Sequence, residues 1–210
     1  MMSTRLPDDG APRRGVDTEA ERRLVEQAKT DPLAFGRLFD AYYDRILNYV
    51  LHRTADVYVA QELTSNVFYN AMKSLGKFRW RSLPFGAWLY RIATNEVNGY
   101  YRRRARSRTV DIDDAPTDQL ADPTAGADRD VITAQQAVAE NALFLELHAA
   151  VAALDAKYQD VIVLHYFEKK SLEEIRLILG KPIGSLKSRL HRGRKMLRAR
   201  LQGSYLKLVE

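Results

Sequence analysis

The sequence contains no cysteine, which excludes disulfide bonds, thiolate zinc sites and cysteine nucleophiles together. It also lacks any apolar run near the roughly 18 residues that a membrane-spanning helix needs. The first residues, MMSTRLPDDGAPRRG, have no apolar core and are unlike a signal peptide. We therefore expect a cytoplasmic protein without membrane insertion.

Motifs of catalysis and metal binding are missing as well. The chain has no phosphate-binding glycine loop, no HExxH and no GxSxG. Its four histidines do not share a ligand spacing, and the adjacent Glu173 and Glu174 diverge on a helix, so they cannot act as a paired acid and base. The sequence predicts no enzymatic activity, no catalytic residue, no cofactor, no metal site and no small-molecule substrate.

The charge that is present is arranged in blocks. The formal net charge is +6, with +7 over residues 31–110, −7 over residues 111–140 and +6 over residues 141–210. Two basic blocks favour a polyanionic partner that is contacted at two places, although two solvated basic surfaces would give the same composition.

The acidic segment VDIDDAPTDQLADPTAGADRD contains proline and glycine and no aromatic residue. Such a composition buries too little apolar area to offset chain entropy, so we expect an extended, flexible linker. The linker could shadow a basic groove when no nucleic acid is bound, but a passive spacer is the favoured interpretation. Residues 1–20 are predicted to be disordered.

The first basic block is helical by its apolar spacing. One helix starts at Asp31 and Pro32. A second runs from about 57 to 75, with an apolar side formed by Leu63, Val67, Phe68, Ala71 and Met72, and is expected to end at Gly76. A third runs from about 82 to 104. Gly76 is followed by a short loop, FRWRS, that alternates aromatic and basic side chains. Such a loop suits single-stranded nucleic acid, because cations follow the phosphates and a ring stacks on a base for about 1–3 kcal/mol.

The two aromatic residues of this loop have a second interpretation, in which they pack the loop onto the helices. For Phe78 the packing interpretation is favoured. For Trp80, which lies between two arginines, the sequence leaves both interpretations open.

The second basic block predicts a helix-turn-helix in SLEEIRLILGKPIGSLKSRLHRGRKMLRARL. Ser171 and Glu174 form a capping box, and Gly180 and Pro182 force a sharp corner. The second helix carries one stripe of leucines, Leu186, Leu190, Leu197 and Leu201. Its opposite face is basic, as in a recognition helix that enters the major groove. The alternative is a solvated basic helix.

Both blocks resemble the extracytoplasmic-function group of bacterial sigma factors in the sigma-70 family. Residues 34–106 resemble the promoter-melting domain, sigma region 2, and residues 154–201 resemble the C-terminal domain, sigma region 4. The segments WLYRIA and KSRLHRGR, in this order and separated by a linker, carry the resemblance.

The resemblance implies an all-α fold with two small helical domains joined by the acidic flexible linker. The implied divisions are a disordered extension over 1–20, a region 2-like domain over 21–107, the linker over 108–139 and a region 4-like helix-turn-helix domain over 140–208.

The implied function is that of a sigma factor, which binds core RNA polymerase and directs promoter-specific initiation. It would recognise the −10 and −35 elements of promoter DNA and aid melting, and an anti-sigma factor is a further partner that the family makes plausible. The alternative is an autonomous helix-turn-helix regulator, which leaves the first basic domain without an explanation.

Site residues follow from the resemblance by position. The contacts to the −35 duplex fall on Ser185, Lys187, Ser188, His191 and Arg192. The contacts to the melted −10 strand fall on Arg79, Trp80, Arg81, Ser82, Asn95, Asn98 and Arg102. The contacts to core polymerase fall on Glu62, Ser65, Asn66 and Phe68.

The sequence departs from the family pattern in three segments. The polymerase-binding helix keeps one acid, Glu62, where the family has two, and the −10 loop has Trp80 and Arg81 where the family has glycine and an acid or amide. Arg176 stands where the first helix of the helix-turn-helix has alanine, so its side chain is expected to extend outward.

Overall fold

The computed structural model describes the backbone of residues 18–80, 83–110 and 146–207, and the side chains of 19–80, 83–106 and 146–201. Every regular element in these ranges is a helix, as the sequence predicts. The expectations for residues 1–17, for residues 111–145, and for the side chains of Arg81 and Ser82 lie outside the described part of the chain.

The front group of helices contains four elements and a short 3-10 turn. These are α1 Thr18–Gln27, α2 Pro32–Thr54, α3 Val57–Ser74, the turn Leu75–Lys77, and α4 Phe85–Val110. Thus α1 begins inside the extension expected to be disordered, and α4 runs beyond the expected end near residue 104.

Local signals in the sequence set these boundaries. The Asp31 carboxylate accepts a hydrogen bond from the amide of Leu33 at 2.9 Å, with Pro32 in the first turn of α2. The expectation that Gly76 ends α3 as a left-handed glycine cap was wrong. Among the described glycines, Gly180 alone has a positive φ, and Gly76 lies inside the 3-10 turn into which α3 passes.

The core of the front group is apolar and aromatic. Leu38, Ile46, Leu63 and Leu89 are fully buried between α2, α3 and α4. Gly86 allows α4 to approach α2 closely, since a Cβ at this position would stand 3.1 Å from the Tyr42 ring.

The described part of the rear group contains four helices. These are α5 at 146–152, α6 Ala156–Ile162 with a π-helical continuation Val163–Phe167, α7 Leu172–Leu179, and α8 Ile183–Lys207.

The predicted helix-turn-helix is formed by α7 and α8. Both halves of the capping box at Ser171 and Glu174 are present, and Gly180 ends α7 with φ +64°. Ile175, Ile178 and Leu186 bury the faces that the two helices share. This corner fixes the direction in which α8 leaves the domain.

The two groups of helices pack against each other. The α4 helix lies on α7, and α2 lies on the π-helical turn that follows α6. The surface between them bears on function, because α4 carries residues that the resemblance assigns to promoter DNA.

Candidate nucleic-acid interface

The outer face of α8 is basic and open to solvent. Lys187, Ser188, His191 and Arg192 are exposed, and Ser185 is half-buried near the start of the helix. The side chain of Leu186, between them, is fully buried. The helix therefore holds its apolar side in the domain and presents donors that can reach base edges and phosphates.

Arg176 extends outward from α7, as expected. Its side chain is exposed, and its Nε donates to the Glu173 carboxylate on the same helix at 2.9 Å. The departure from alanine therefore leaves the packing of α7 on α8 intact.

The aromatic residues of the FRWRS loop have different surroundings. Phe78 is 5% exposed and packs on Phe85 and Trp88, which confirms the packing interpretation. The Trp80 ring stands edge-on to Phe78, with centroids 6.0 Å apart, and stays half-exposed. Arg79 donates to the backbone carbonyls of Gly76 and Phe78, so its guanidinium holds the loop as well as charging it.

The polar face of α4 meets the rear group. Asn95 and Arg102 are exposed, whereas the Asn98 amide oxygen accepts a hydrogen bond from Arg53 at 3.0 Å. Asn95 and Asn98 line a cleft of about 400 Å³, and Lys181 and Arg189 of the rear group form part of the opposite wall. Two of the −10 residues on α4, Asn95 and Asn98, thus share a cleft with the helix-turn-helix.

A fully buried arginine lies at the centre of this contact. The Arg53 Nε donates to the Gln159 side chain at 2.8 Å, and one terminal nitrogen donates to the Asp160 carboxylate and to the Tyr49 hydroxyl. The Gln159 amide returns a hydrogen bond to the Arg53 carbonyl at 2.9 Å. Each hydrogen-bonding group of this cluster therefore has a partner across the contact or beside it.

Burial dominates the titration of the Asp160 carboxyl. Loss of water raises the pKa of Asp160 above its ordinary value, and the nearby Arg53 charge works in the opposite direction. The arrangement needs both charges, because either one alone would be buried without compensation.

Two further polar contacts join the groups beside the cleft. The Tyr90 hydroxyl of α4 donates to the Glu168 carboxylate at 2.6 Å, and burial raises the pKa of Glu168. The Arg91 guanidinium donates to the backbone carbonyls of Leu177 and Ile178 at the C-terminal end of α7, where a helix dipole favours a cation.

A pair of histidines lies at the other side of the contact. The rings of His52 and His148 stack with centroids 4.8 Å apart, and Phe167 packs on both. Burial and the neighbouring His148 lower the pKa of His52 to about 4. His52 is therefore neutral at pH 7.

The outer face of α3 carries the residues assigned to core polymerase. Glu62 and Ser65 are exposed and Asn66 is half-buried. Phe68 is different, because it is 4% exposed and packs on Phe39 with centroids 4.7 Å apart. Its ring supports α3 from inside and offers no surface to a partner.

Three exposed apolar residues extend this face. Tyr58, Tyr69 and Met72 are 78%, 54% and 52% exposed, and they fall in one helical register with Glu62 and Ser65. Met72 was expected on the packed side of this helix, and that expectation was wrong. The spacing of Tyr58, Glu62, Ser65, Tyr69 and Met72 is the signal that could have found the stripe.

The sequence reasoning missed the contact between the two groups of helices. The available signals were a charge at Arg53 in register with the buried Ile46 and Val50, and Asp160 directly before the apolar run VIVL. Glu96, which falls near the apolar face of α4, is explained by a hydrogen bond from Asn70 of α3 at 2.9 Å.

Two other features are absent from the described residues. None of their helices is long and apolar enough to cross a membrane. Within the same ranges, no three potential metal ligands of the His, Cys, Asp or Glu type come together.

Comparison with known proteins matches both groups of helices. The family model described as "Sigma-70 region 2" matches residues 38–107, and the one described as "Sigma-70, region 4" matches residues 144–197.

Two curated relatives match most of the chain. It is 31% identical over 182 residues to the ECF RNA polymerase sigma factor SigW of Bacillus subtilis (strain 168), which covers 87% of this chain and 96% of the relative. It is 30% identical over 188 residues to the ECF RNA polymerase sigma factor BldN of Streptomyces coelicolor, which covers 88% of this chain and 68% of the relative.

Two solved structures share the fold. CnrH, solved in complex with the cytosolic domain of CnrY, has a TM-score of 0.62 at 22% identity and covers 88% of this chain and 98% of its own. RpoE of Bartonella quintana, solved in complex with the anti-sigma factor NepR, has a TM-score of 0.62 at 21% identity and covers 80% of this chain and 96% of its own.

Proposed function

Because the chain belongs to the extracytoplasmic-function (ECF) RNA polymerase sigma factors, we propose that its two groups of helices read two different states of promoter DNA. As a sigma factor it binds core RNA polymerase and directs promoter-specific transcription initiation. The rear group reads the −35 element as duplex, and the front group reads the −10 element as a separated strand. The observation that carries this division is the exposed basic face of α8, set against the half-exposed Trp80 and exposed Arg102 of the front group.

The rear group recognises the −35 duplex through the outer face of α8. Lys187 and Arg192 are long, exposed cations that can donate to guanine edges, and Ser188 can donate or accept. His191, exposed on the same face, donates to a base or phosphate. Ser185 lies near the start of the helix, where an amide-rich terminus favours a phosphate.

The front reading uses the FRWRS loop and α4. A base drawn out of the stack can lie on the exposed part of the Trp80 ring, which offsets an unstacking cost of a few kcal/mol. Arg79 and Arg102 supply charge for the strand, and Asn95 and Asn98 supply amide groups that can pair with a base edge. Arg81 and Ser82 complete the proposed set by their place in the loop.

Core polymerase is proposed to bind α3. Glu62, Ser65 and Asn66 supply the polar contacts, and the exposed Tyr58, Tyr69 and Met72 supply apolar area beside them. An apolar stripe of this kind compensates for the second acid that the family pattern has and this helix lacks. The buried Phe68 acts by positioning the helix.

Further parts of the proposal concern organisation and setting. We propose domain limits of 21–107 and 140–208, joined by residues 108–139, a cytoplasmic location, and no catalytic activity of the chain's own. An anti-sigma factor is a proposed partner, since the RpoE relative was solved with one.

Run-off transcription with purified core polymerase tests the function. A promoter-specific transcript is expected when the full chain is added and not in its absence. If transcription were independent of the chain while the chain alone bound duplex DNA, it would act as an autonomous helix-turn-helix regulator, and the proposal would be wrong.

A further inference from the structure

The contact between the two groups of helices is unusually polar at its centre. Arg53 is fully buried and the Asp160 side chain is 10% exposed. Of the side chains that bond Arg53, Gln159 and Asp160 lie in the rear group, whereas Tyr49 and Asn98 belong to the front group with Arg53. The bonds to Gln159 and Asp160, and the bond that Gln159 returns to the Arg53 carbonyl, therefore depend on the two groups staying together.

Such a contact is stable when closed, and separating the two groups with both charges in place costs little free energy. Closing removes two charges from water, and their attraction roughly repays this cost when the geometry is good. Opening returns both charges to water, so the closed and open arrangements can lie close in free energy. Removing one partner alone is different, because it leaves the other charge buried without compensation and strongly disfavours closure.

Closure affects the two proposed DNA surfaces unequally. The exposed face of α8, with Lys187, Ser188 and Arg192, stays open to solvent. On α4, by contrast, the cleft beside Asn95 and Asn98 is walled by residues of the rear group, including Asp160, Lys181 and Arg189. A separated strand therefore meets an obstructed surface, whereas a duplex does not.

We propose that Arg53, Gln159 and Asp160 form a latch between the two groups of helices that withholds the strand-reading surface of α4 in the free chain. The latch leaves the duplex-reading face of α8 available. This inference rests on the proposed −10 role of α4. Tyr90 with Glu168 forms a second, weaker fastening at the same contact.

The distance between the two groups is the primary readout. The chain has no cysteine, so Asp40→Cys on α2 and Ala199→Cys on α8 place two specific labels at exposed positions of the full chain. Asp160→Ala is expected to shift the measured distances to longer values. Tyr90→Phe, which keeps the ring and loses the hydroxyl, is expected to shift them in the same direction by less.

Asp155→Ala is the matched control. Asp155 lies in the same group of helices, loses the same charge, and has a side chain that is 67% exposed and weakly paired with Lys157. Its substitution is expected to leave the distances unchanged.

Strand binding is the second readout. A single-stranded −10 oligonucleotide should bind the labelled Asp160→Ala chain about tenfold more tightly than the parent chain if roughly one parent molecule in ten is open. The affinity for a −35 duplex should not change, because the α8 face is exposed in both arrangements.

Two results would overturn the latch. The first is that the distances are unchanged in both Asp160→Ala and Tyr90→Phe. If circular dichroism shows that Asp160→Ala has lost helix, Tyr90→Phe alone decides. The other is longer distances without tighter strand binding. Run-off transcription by the parent chain separates these results from failure of the proposed function, since the distance measurement needs neither polymerase nor DNA.

Discussion

At the scale of single residues, Ala55 is one of two described residues other than glycine, with Lys169, whose φ is positive. It ends α2 with φ +53° in the left-handed region, where the Cβ of an L residue is crowded. Ala55→Gly is expected to raise the free energy of unfolding by about 0.5–1 kcal/mol, because glycine enters this region without the Cβ penalty. Urea denaturation of the two chains measures the difference.

An alanine in the same helix provides the control. Ala41 is exposed in the interior of α2, and Ala41→Gly is expected to lower the free energy of unfolding by about 1 kcal/mol. A loss of stability in both glycine variants would contradict the assignment of strain to Ala55.

His52 makes the contact between the two groups sensitive to acid. Its pKa falls from 6.5 to about 4 on folding, so between these values the unfolded chain binds a proton that the folded chain does not. The contribution of neutral His52 to stability is therefore complete above pH 6.5 and is lost as the pH falls towards 4.

The measurement is the free energy of unfolding against pH for the parent chain and for His52→Gln. The parent should lose more stability than the variant between pH 6.5 and 4. Because Asp160 and Glu168 are present in both proteins, the difference between the profiles isolates the contribution of His52. Parallel profiles would mean that folding does not lower the pKa of His52.

Residue-level sequence signals succeeded where the chemistry is local. The Asp31 cap and the Ser171 and Glu174 capping box each involve residues within three positions, and all are present. Two partners of Arg53, Gln159 and Asp160, lie more than 100 residues away, and no local pattern specifies such a pairing.

At the scale of elements, α8 packs on α6 through a glycine. A Cβ at Gly193 would stand 3.0 Å from Cγ1 of Ile162 and 3.4 Å from Cβ of Tyr158. Gly193→Ala is expected to destabilise the protein by about 1–3 kcal/mol, because the inserted methyl forces the helices apart or Ile162 out of its rotamer. Thermal or urea unfolding measures the loss.

Gly184 is the matched control on the same helix. A Cβ at Gly184 would have no neighbour within 4 Å, so Gly184→Ala adds helix propensity without a clash. It should be neutral or slightly stabilising. Equal destabilisation by both alanines would show that close packing at Gly193 does not matter.

Helix boundaries were predictable where caps, glycine and proline agree, since the predicted capping box at Ser171 and the predicted corner at Gly180 bracket α7 at Leu172–Leu179. Which face of a helix packs was less certain. Met72 was assigned to the packed side of α3 although it is exposed, because an apolar side chain at the border between two faces gives no sign of which face it joins.

At the scale of the whole molecule, the two groups of helices close onto each other through a polar contact. Composition predicted two basic units and an acidic segment between them, which matches the two family regions. It did not predict their docking, because an interface of buried charges between helices has no periodic signature. Relative motion of domains is the default expectation unless the interface between them is large and hydrophobic.

The rear group is expected to bind the promoter as duplex, and the front group is expected to hold the separated strand. In complexes with core polymerase, the Lys187→Ala and Arg192→Ala double variant should lose promoter occupancy, since two base or phosphate contacts of about 1–3 kcal/mol each are removed. Trp80→Ala should keep occupancy and lose strand separation, because the surface for an unstacked base is gone.

Permanganate reactivity of unpaired −10 thymines, normalised to the promoter that is bound, measures this claim most directly. The account predicts normal reactivity per bound complex for the double variant of α8 and clearly reduced reactivity for Trp80→Ala. Normal opening with Trp80→Ala, or impaired opening in bound complexes of the α8 variant, would contradict it.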